Sequence, residues 1–110
     1  MPVWQKAKGA MVEAYRLAEK LPKHEQYAMA SQIRSAALSM PGNIAEAFGR
    51  HHKKDKQNFY FYSRGSANET ISHFLCAIAV DYFSKEEIIL VGQLCNEVIE
   101  ELNKIIKSLD

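Results

Sequence analysis

Apolar residues return every three or four positions along almost the whole of this chain, and nowhere do they alternate over the length of a strand. That spacing puts them on one face of a helix, which turns once in about 3.6 residues. In the first stretch Trp4, Ala7, Met11, Ala14, Ala18 and Leu21 form a seam of mostly small residues, which lets a neighbouring helix come close. Pro2 suits a helix start, and Pro22 disfavours a helical residue before it, so the first helix is expected over about 3–20.

A second helical stretch begins near Lys23, with Met29, Ile33, Ala36, Met40, Ile44 and Phe48 on its apolar face. Pro41 lacks a backbone donor and crowds the preceding turn, which predicts a kink or short break there, and Gly49–Arg50 marks the end. After the polar run HHKKDK, Asp55 is placed to receive the first amides of a third helix over about 55–82. That helix opens on Phe59, Tyr60, Phe61 and Tyr62 and continues with a stripe of Ile71, Leu75, Ile78 and Tyr82.

Ser84 and Glu87 form the S-x-x-E pattern of a capping box at the start of the last helix. Its apolar face, Ile88, Val91, Cys95, Val98, Leu102, Ile105 and Leu109, is widened by Ile89, Leu90, Leu94, Ile99 and Ile106. One partner inside a small bundle leaves part of so wide a face uncovered, so the surplus reads as an inter-subunit surface. Four helices with short connections make antiparallel neighbours. The expected fold is all-α: one up-down-up-down antiparallel four-helix bundle over residues 1–110, with the second helix kinked near Pro41.

The net charge is only +1, but it is unevenly spread. Residues 1–64 hold eleven Lys/Arg against five Asp/Glu, a balance of +6; residues 65–110 hold three against eight, a balance of −5. Such asymmetry implies either an anionic partner for the first half or pairing of charges between helices. Cys76 and Cys95 lie in apolar helical patterns, as small buried thiols do, and imply no disulfide framework. The first residues lack the apolar core of a signal peptide, and no apolar run approaches the roughly 20 residues that span a bilayer. A cytoplasmic location is expected.

Little in the sequence points to catalysis. His73 and Cys76 are three apart on one helix, but a structural zinc site needs two more ligands at suitable spacing. Neither cysteine lies in a strand–turn–helix elbow, and Gly65-Ser66 lacks the G-x-S-x-G spacing of a hydrolase serine. Asn43, Glu46, Arg64 and Glu69 fall on helices two and three and read as a structural polar network joining them, since an unpaired buried charge is costly. No catalytic residue, metal or cofactor is expected. The basic residues form a further constellation: Arg50, His51, His52, Lys53, Lys54 and Lys56 crowd one connection, Arg64 follows, and Arg34 lies on helix two. Such clusters bind phosphate backbones through charge and counterion release, and Tyr60 and Tyr62 are placed nearby to stack on unpaired bases.

The run Ser39-Met40-Pro41-Gly42-Asn43-Ile44-Ala45-Glu46-Ala47-Phe48-Gly49-Arg50 resembles the S-I-P-x-N-I-A-E-G-x-G-R segment of a bacterial family, the four-helix-bundle proteins of 23S ribosomal RNA intervening sequences, also called S23-type. Val3-Trp4-Gln5-Lys6-Ala7, Glu25-Gln26-Tyr27 with Ser31-Gln32-Ile33-Arg34, and Phe59 with Arg64-Gly65-Ser66 and Glu69 resemble its other segments, so the likeness spans about residues 3–80. Ala47 and Ser35 depart from the usual glycine and second arginine, and Gly42 stands where serine is common. The resemblance implies a homopentameric ring. Through relatives that serve diversity-generating retroelements, it also implies binding of RNA or DNA and contact with a reverse transcriptase. A structural or protein-interaction scaffold with no nucleic-acid role is the other reading.

Overall fold

A computed structural model describes residues 1–110 and contains four α-helices, no strand and one short 3-10 turn. Helix α1 is Pro2–Glu19, α2 Met29–Phe48, α3 Lys53–Ala79 and α4 Lys85–Ser108; the 3-10 turn, Lys23–Glu25, lies between α1 and α2. Each helix packs against the next, and α4 packs back on α1, giving the expected up-down-up-down antiparallel bundle, about 43 Å long. One end, here the connection end, holds Met1, the α2–α3 connection and the last residues of α4. The opposite end holds the connections on either side of α2's start and α4's start.

Small residues set the spacing of the helices. Ala7, Ala10, Ala14 and Ala18 of α1 are fully buried, as are Ala30, Ala37 and Ala47 of α2 and Ala67 and Ala77 of α3. Between them lie a few large side chains, Leu17, Ile33, Met40, Ile44, Phe74 and Leu102. The α3 seam differs from the expected stripe: Tyr60, Ser63, Ala67, Thr70, Phe74 and Ala77 face the core, and Leu75 is 57% exposed. The core selects for fit and not for size, so the helix is rotated to bury its small residues. Two buried hydroxyls are satisfied in that seam, Ser63 Oγ donating to Met40 O at 2.8 Å and Thr70 Oγ1 to Ser66 O at 2.8 Å. The same rotation leaves Cys76 exposed, contrary to its expected burial, whereas Cys95 is buried and its thiol is pushed up to about 12 by desolvation.

The second helix starts later than expected, at Met29, and runs unbroken through Pro41. Proline removes one donor, but Met40, Pro41 and Ile44 are all buried, and tertiary packing outweighs the loss of one backbone bond. The third helix begins at Lys53, with His52 as N-cap, so Asp55 lies inside its first turn, where a carboxylate suits the positive end of the helix dipole. The capping box of α4 is present, with Glu87 N–H donating to Ser84 Oγ at 3.2 Å and Ser84 N–H to Glu87 Oε1 at 2.9 Å. The backbone amide contact holds the Glu87 carboxyl below its usual range.

Hydrogen bonds also tie the two connections at the far end together. Tyr82 donates its hydroxyl proton to Glu25 Oε2 at 2.7 Å, and His24 Nε2 lies 3.2 Å from the same hydroxyl. The bond from Tyr82 lowers the Glu25 carboxyl and raises the Tyr82 phenol. Tyr82 is positioned by the end of α3, where Tyr82 N–H donates to Ala77 O and Asp81 N–H to Ile78 O, the pair of bonds of a Schellman turn. Asp81 occupies its left-handed position at φ 64°, which normally favours glycine, and puts an acid at the negative end of the helix. Replacing Asp81 with glycine is expected to stabilise the protein by about 0.5–1 kcal/mol, relief of the strained conformation outweighing the added freedom of the unfolded chain. A urea melt measures this, and a lower midpoint for the variant counts against the turn as described.

Candidate nucleic-acid interface

The basic residues singled out from the sequence divide into two groups once their partners are known. Three serve the fold. Arg34 donates from Nη2 to Gln26 Oε1 at 2.7 Å, and Gln26 Nε2 in turn donates to Ala18 O and Leu21 O, so Arg34 helps to close the end of α1, far from the connection end. Lys56 Nζ donates to Ala47 O at 3.2 Å and Phe48 O at 3.3 Å, capping the last carbonyls of α2. Arg50 pairs with Glu46 at 3.3 Å, and its guanidinium lies 4.6 Å from the centre of the Phe59 ring.

The others are available. His51, His52, Lys53 and Lys54 are exposed at the open N-terminus of α3 and make no side-chain hydrogen bond or ion pair. The first amides of a helix and its dipole favour anions, so this end of α3 adds to the attraction of the lysines. Arg64, almost three turns further along, has no carboxylate partner. Its Nη1 donates to Asn103 Oδ1 at 2.9 Å and its guanidinium lies 4.9 Å from the centre of the Phe61 ring. Tyr60 is buried and unable to reach a base; within the cluster Phe59–Tyr62 the exposed rings are Phe61 and Tyr62.

The structure adds Lys107, which the acidic balance of the second half of the chain conceals. Gln57 Nε2 donates to Ile106 O at 3.1 Å and to Asp110 Oδ1 at 2.7 Å, holding the end of α4 against the start of α3. Lys107 follows one turn after Asn103 and is exposed. The α3–α4 edge at the connection end therefore presents Lys53, Lys54, Arg64 and Lys107, none of them paired with an acid. Ion pairing between the two halves of the chain is slight: Lys6 with Glu101 at 3.5 Å is the one bridge between them, and the others join residues three or four apart in the sequence.

The expected polar network does not form. Asn43 Nδ2 donates to Ser39 O within α2, Glu46 pairs with Arg50, Glu69 with His73 at 3.2 Å, and Arg64 turns to α4. Glu46 and Glu69 point outward, with side chains 57% and 55% exposed, and the contact between α2 and α3 is carried by Ser63 and the apolar seam instead. Glu46→Ala is accordingly expected to change stability by no more than about 0.5 kcal/mol, the size of an exposed ion pair. A thermal melt that fell by several times as much would restore the network.

Comparison with known proteins matches the architecture to one family. The family model described as 23S rRNA-intervening sequence protein matches residues 1–104. No curated protein matches the chain. Among solved structures, the chain is similar to a protein of unknown function from the S23 ribosomal protein family of Bacteroides thetaiotaomicron, with a TM-score of 0.88 and 25% sequence identity over 96% of this chain and 98% of that one. This four-helix bundle thus belongs to the family of 23S rRNA-intervening sequence proteins.

Proposed function

We propose that this protein is a non-enzymatic, homo-oligomeric accessory protein that binds RNA or DNA through its basic connection end without strong sequence specificity. The observation that carries this reading is the set of basic residues at the start of α3, His51, His52, Lys53 and Lys54, exposed and without an acidic partner, on the same helix as Arg64. Lysines in such a position exchange condensed counterions for phosphates, and no carboxylate forms an ion pair with them.

Assembly multiplies the patch. Two apolar surfaces lie on opposite sides of the bundle. One runs between α1 and α2, with Met1, Trp4, Met11, Leu38 and Phe48; the other runs between α3 and α4, with Leu75, Ile78, Ile88 and Ile89. Two unlike surfaces meet head to tail, and such contacts close into a ring when the rotation allows. A homopentamer is the ring we propose, with the connection ends of all subunits on one rim. Leu75→Glu combined with Ile89→Glu should give a folded monomer by circular dichroism and light scattering. Unchanged mass would remove the α3–α4 side from the interface.

Binding is tested by titrating labelled RNA and DNA at several salt concentrations. The wild type should bind at low salt and weaken steeply as salt rises. Lys53→Glu with Lys54→Glu should bind more weakly and flatten the dependence of log K on log salt by about 1.5–2, two phosphate contacts' worth. Lys56 is left intact in this variant because it caps α2. Negligible binding at low salt would falsify the proposal.

A second reading, a protein-interaction scaffold such as a reverse transcriptase partner, is favoured by the exposed Leu75, Ile89 and Leu90. It predicts a stoichiometric protein partner retained after nuclease treatment.

A further inference from the structure

We propose that the α3–α4 edge at the connection end takes nucleic acid as a single strand, an unpaired base stacking on the Arg64 guanidinium while Lys53, Lys54 and Lys107 hold phosphates. This rests on the nucleic-acid reading above and specifies the strandedness of its ligand. The evidence is the way Arg64 is held. The Phe61 ring supports its guanidinium at 4.9 Å, Asn103 of the neighbouring helix accepts from Nη1 at 2.9 Å, and no carboxylate neutralises it. These two contacts orient the guanidinium, and no carboxylate compensates its charge.

A planar cation held in this way offers a stacking surface and loses little freedom when a base settles on it. Bases in a duplex are covered by their neighbours above and below, so an unpaired strand is what such a plane recognises. The lysines flank it in a usable order. Lys53 and Lys54 lie almost three turns before Arg64 on α3, and Lys107 lies one turn beyond Asn103 on α4. The Gln57 amide occupies the Asp110 carboxylate and joins the two helices, which keeps these cations on one edge. The aromatic residues act here as support for the arginine, and Tyr60, buried in the core, takes no part.

The test is fluorescence anisotropy with the intact protein and labelled oligouridylate, oligothymidylate and a DNA duplex of equal length, each over a salt series. Both single strands should bind about tenfold more tightly than the duplex, the effect of one base stack. Arg64→Lys keeps the charge and loses the plane. It should weaken single-strand binding by about tenfold and leave both duplex binding and the salt slope unchanged. Lys107→Gln, at an exposed site, should lower the slope by about 0.7 for single strands while circular dichroism stays unaltered. Equal affinity for duplex and single strands overturns the inference. So does an Arg64→Lys variant that binds single strands like the wild type while the Lys53, Lys54 double variant weakens every probe, and in either case the broader nucleic-acid reading stands. Failure of all probes to bind at low salt overturns both.

Discussion

Alanine in the seams between helices is the constraint on which the rest of this structure depends. Where two helices meet through Ala7, Ala10, Ala14 and Ala18 on one side and Ala30, Ala37 and Ala47 on the other, their axes can approach closely. A close approach leaves little volume for large side chains. The core fully encloses Leu17, Ile33, Met40, Ile44, Phe74 and Leu102 and buries Leu21, Tyr60, Phe83, Ile88 and Ile106 at its edges, and several other large apolar residues are displaced outward. Leu38, Phe48, Leu75, Ile89 and Leu90 are all about half exposed or more for this reason. The apolar surfaces between α1 and α2 and between α3 and α4 are thus consequences of the core, and the same economy of volume that builds the bundle leaves it with faces suited to further packing.

The helices were legible in the sequence because their punctuation is local. Pro22 stops α1, and Ser84 with Glu87 opens α4, through contacts within a few residues of one another. The order and direction of the helices follow from the shortness of the connections. The face of α3 was not legible, since the period of a helix identifies which residues share a face but not which face turns inward. Size favoured Leu75, which is turned outward; Ile71 and Ile78 pack at the edge of the core, and Ser63, Ala67 and Thr70 fill its centre. The left-handed Asp81 was equally hidden, because nothing in an aspartate marks a Schellman turn where glycine is usual. At Pro41 a local cost was visible, and the packing of Met40, Pro41 and Ile44 that keeps the helix continuous through it was not.

Charge was legible as a total and misleading in detail. The excess in residues 1–64 located the basic connection, yet two of its cations, Lys56 and Arg50, are engaged by α2, and Arg34 belongs to the other end of the molecule. Lys107 was invisible because it lies in an acidic helix and joins the others only through the fold. The polar quartet failed for the same reason. Glu46 and Glu69 have partners four residues further along the chain, and a carboxylate exposed to water gains little by reaching across to another helix when a local partner is at hand.

These features together explain why the proposed binding is expected at one end. An antiparallel bundle alternates the direction of its helix dipoles, so neither end is positive by backbone alone. Side chains break the balance. At the connection end α3 begins with four exposed basic residues. At the far end Glu25 bonds to Tyr82 and Arg34 to Gln26, and the exposed Lys20, Lys23 and Lys85 stand among the acids Glu19, Asp81, Glu86 and Glu87. The far end therefore mixes its cations with acids, and the connection end is left with an excess of unpaired cations. In a head-to-tail ring, in which every subunit points the same way, the unused cations add on a single rim. In the ring proposed above, the patch of one bundle is repeated along that rim.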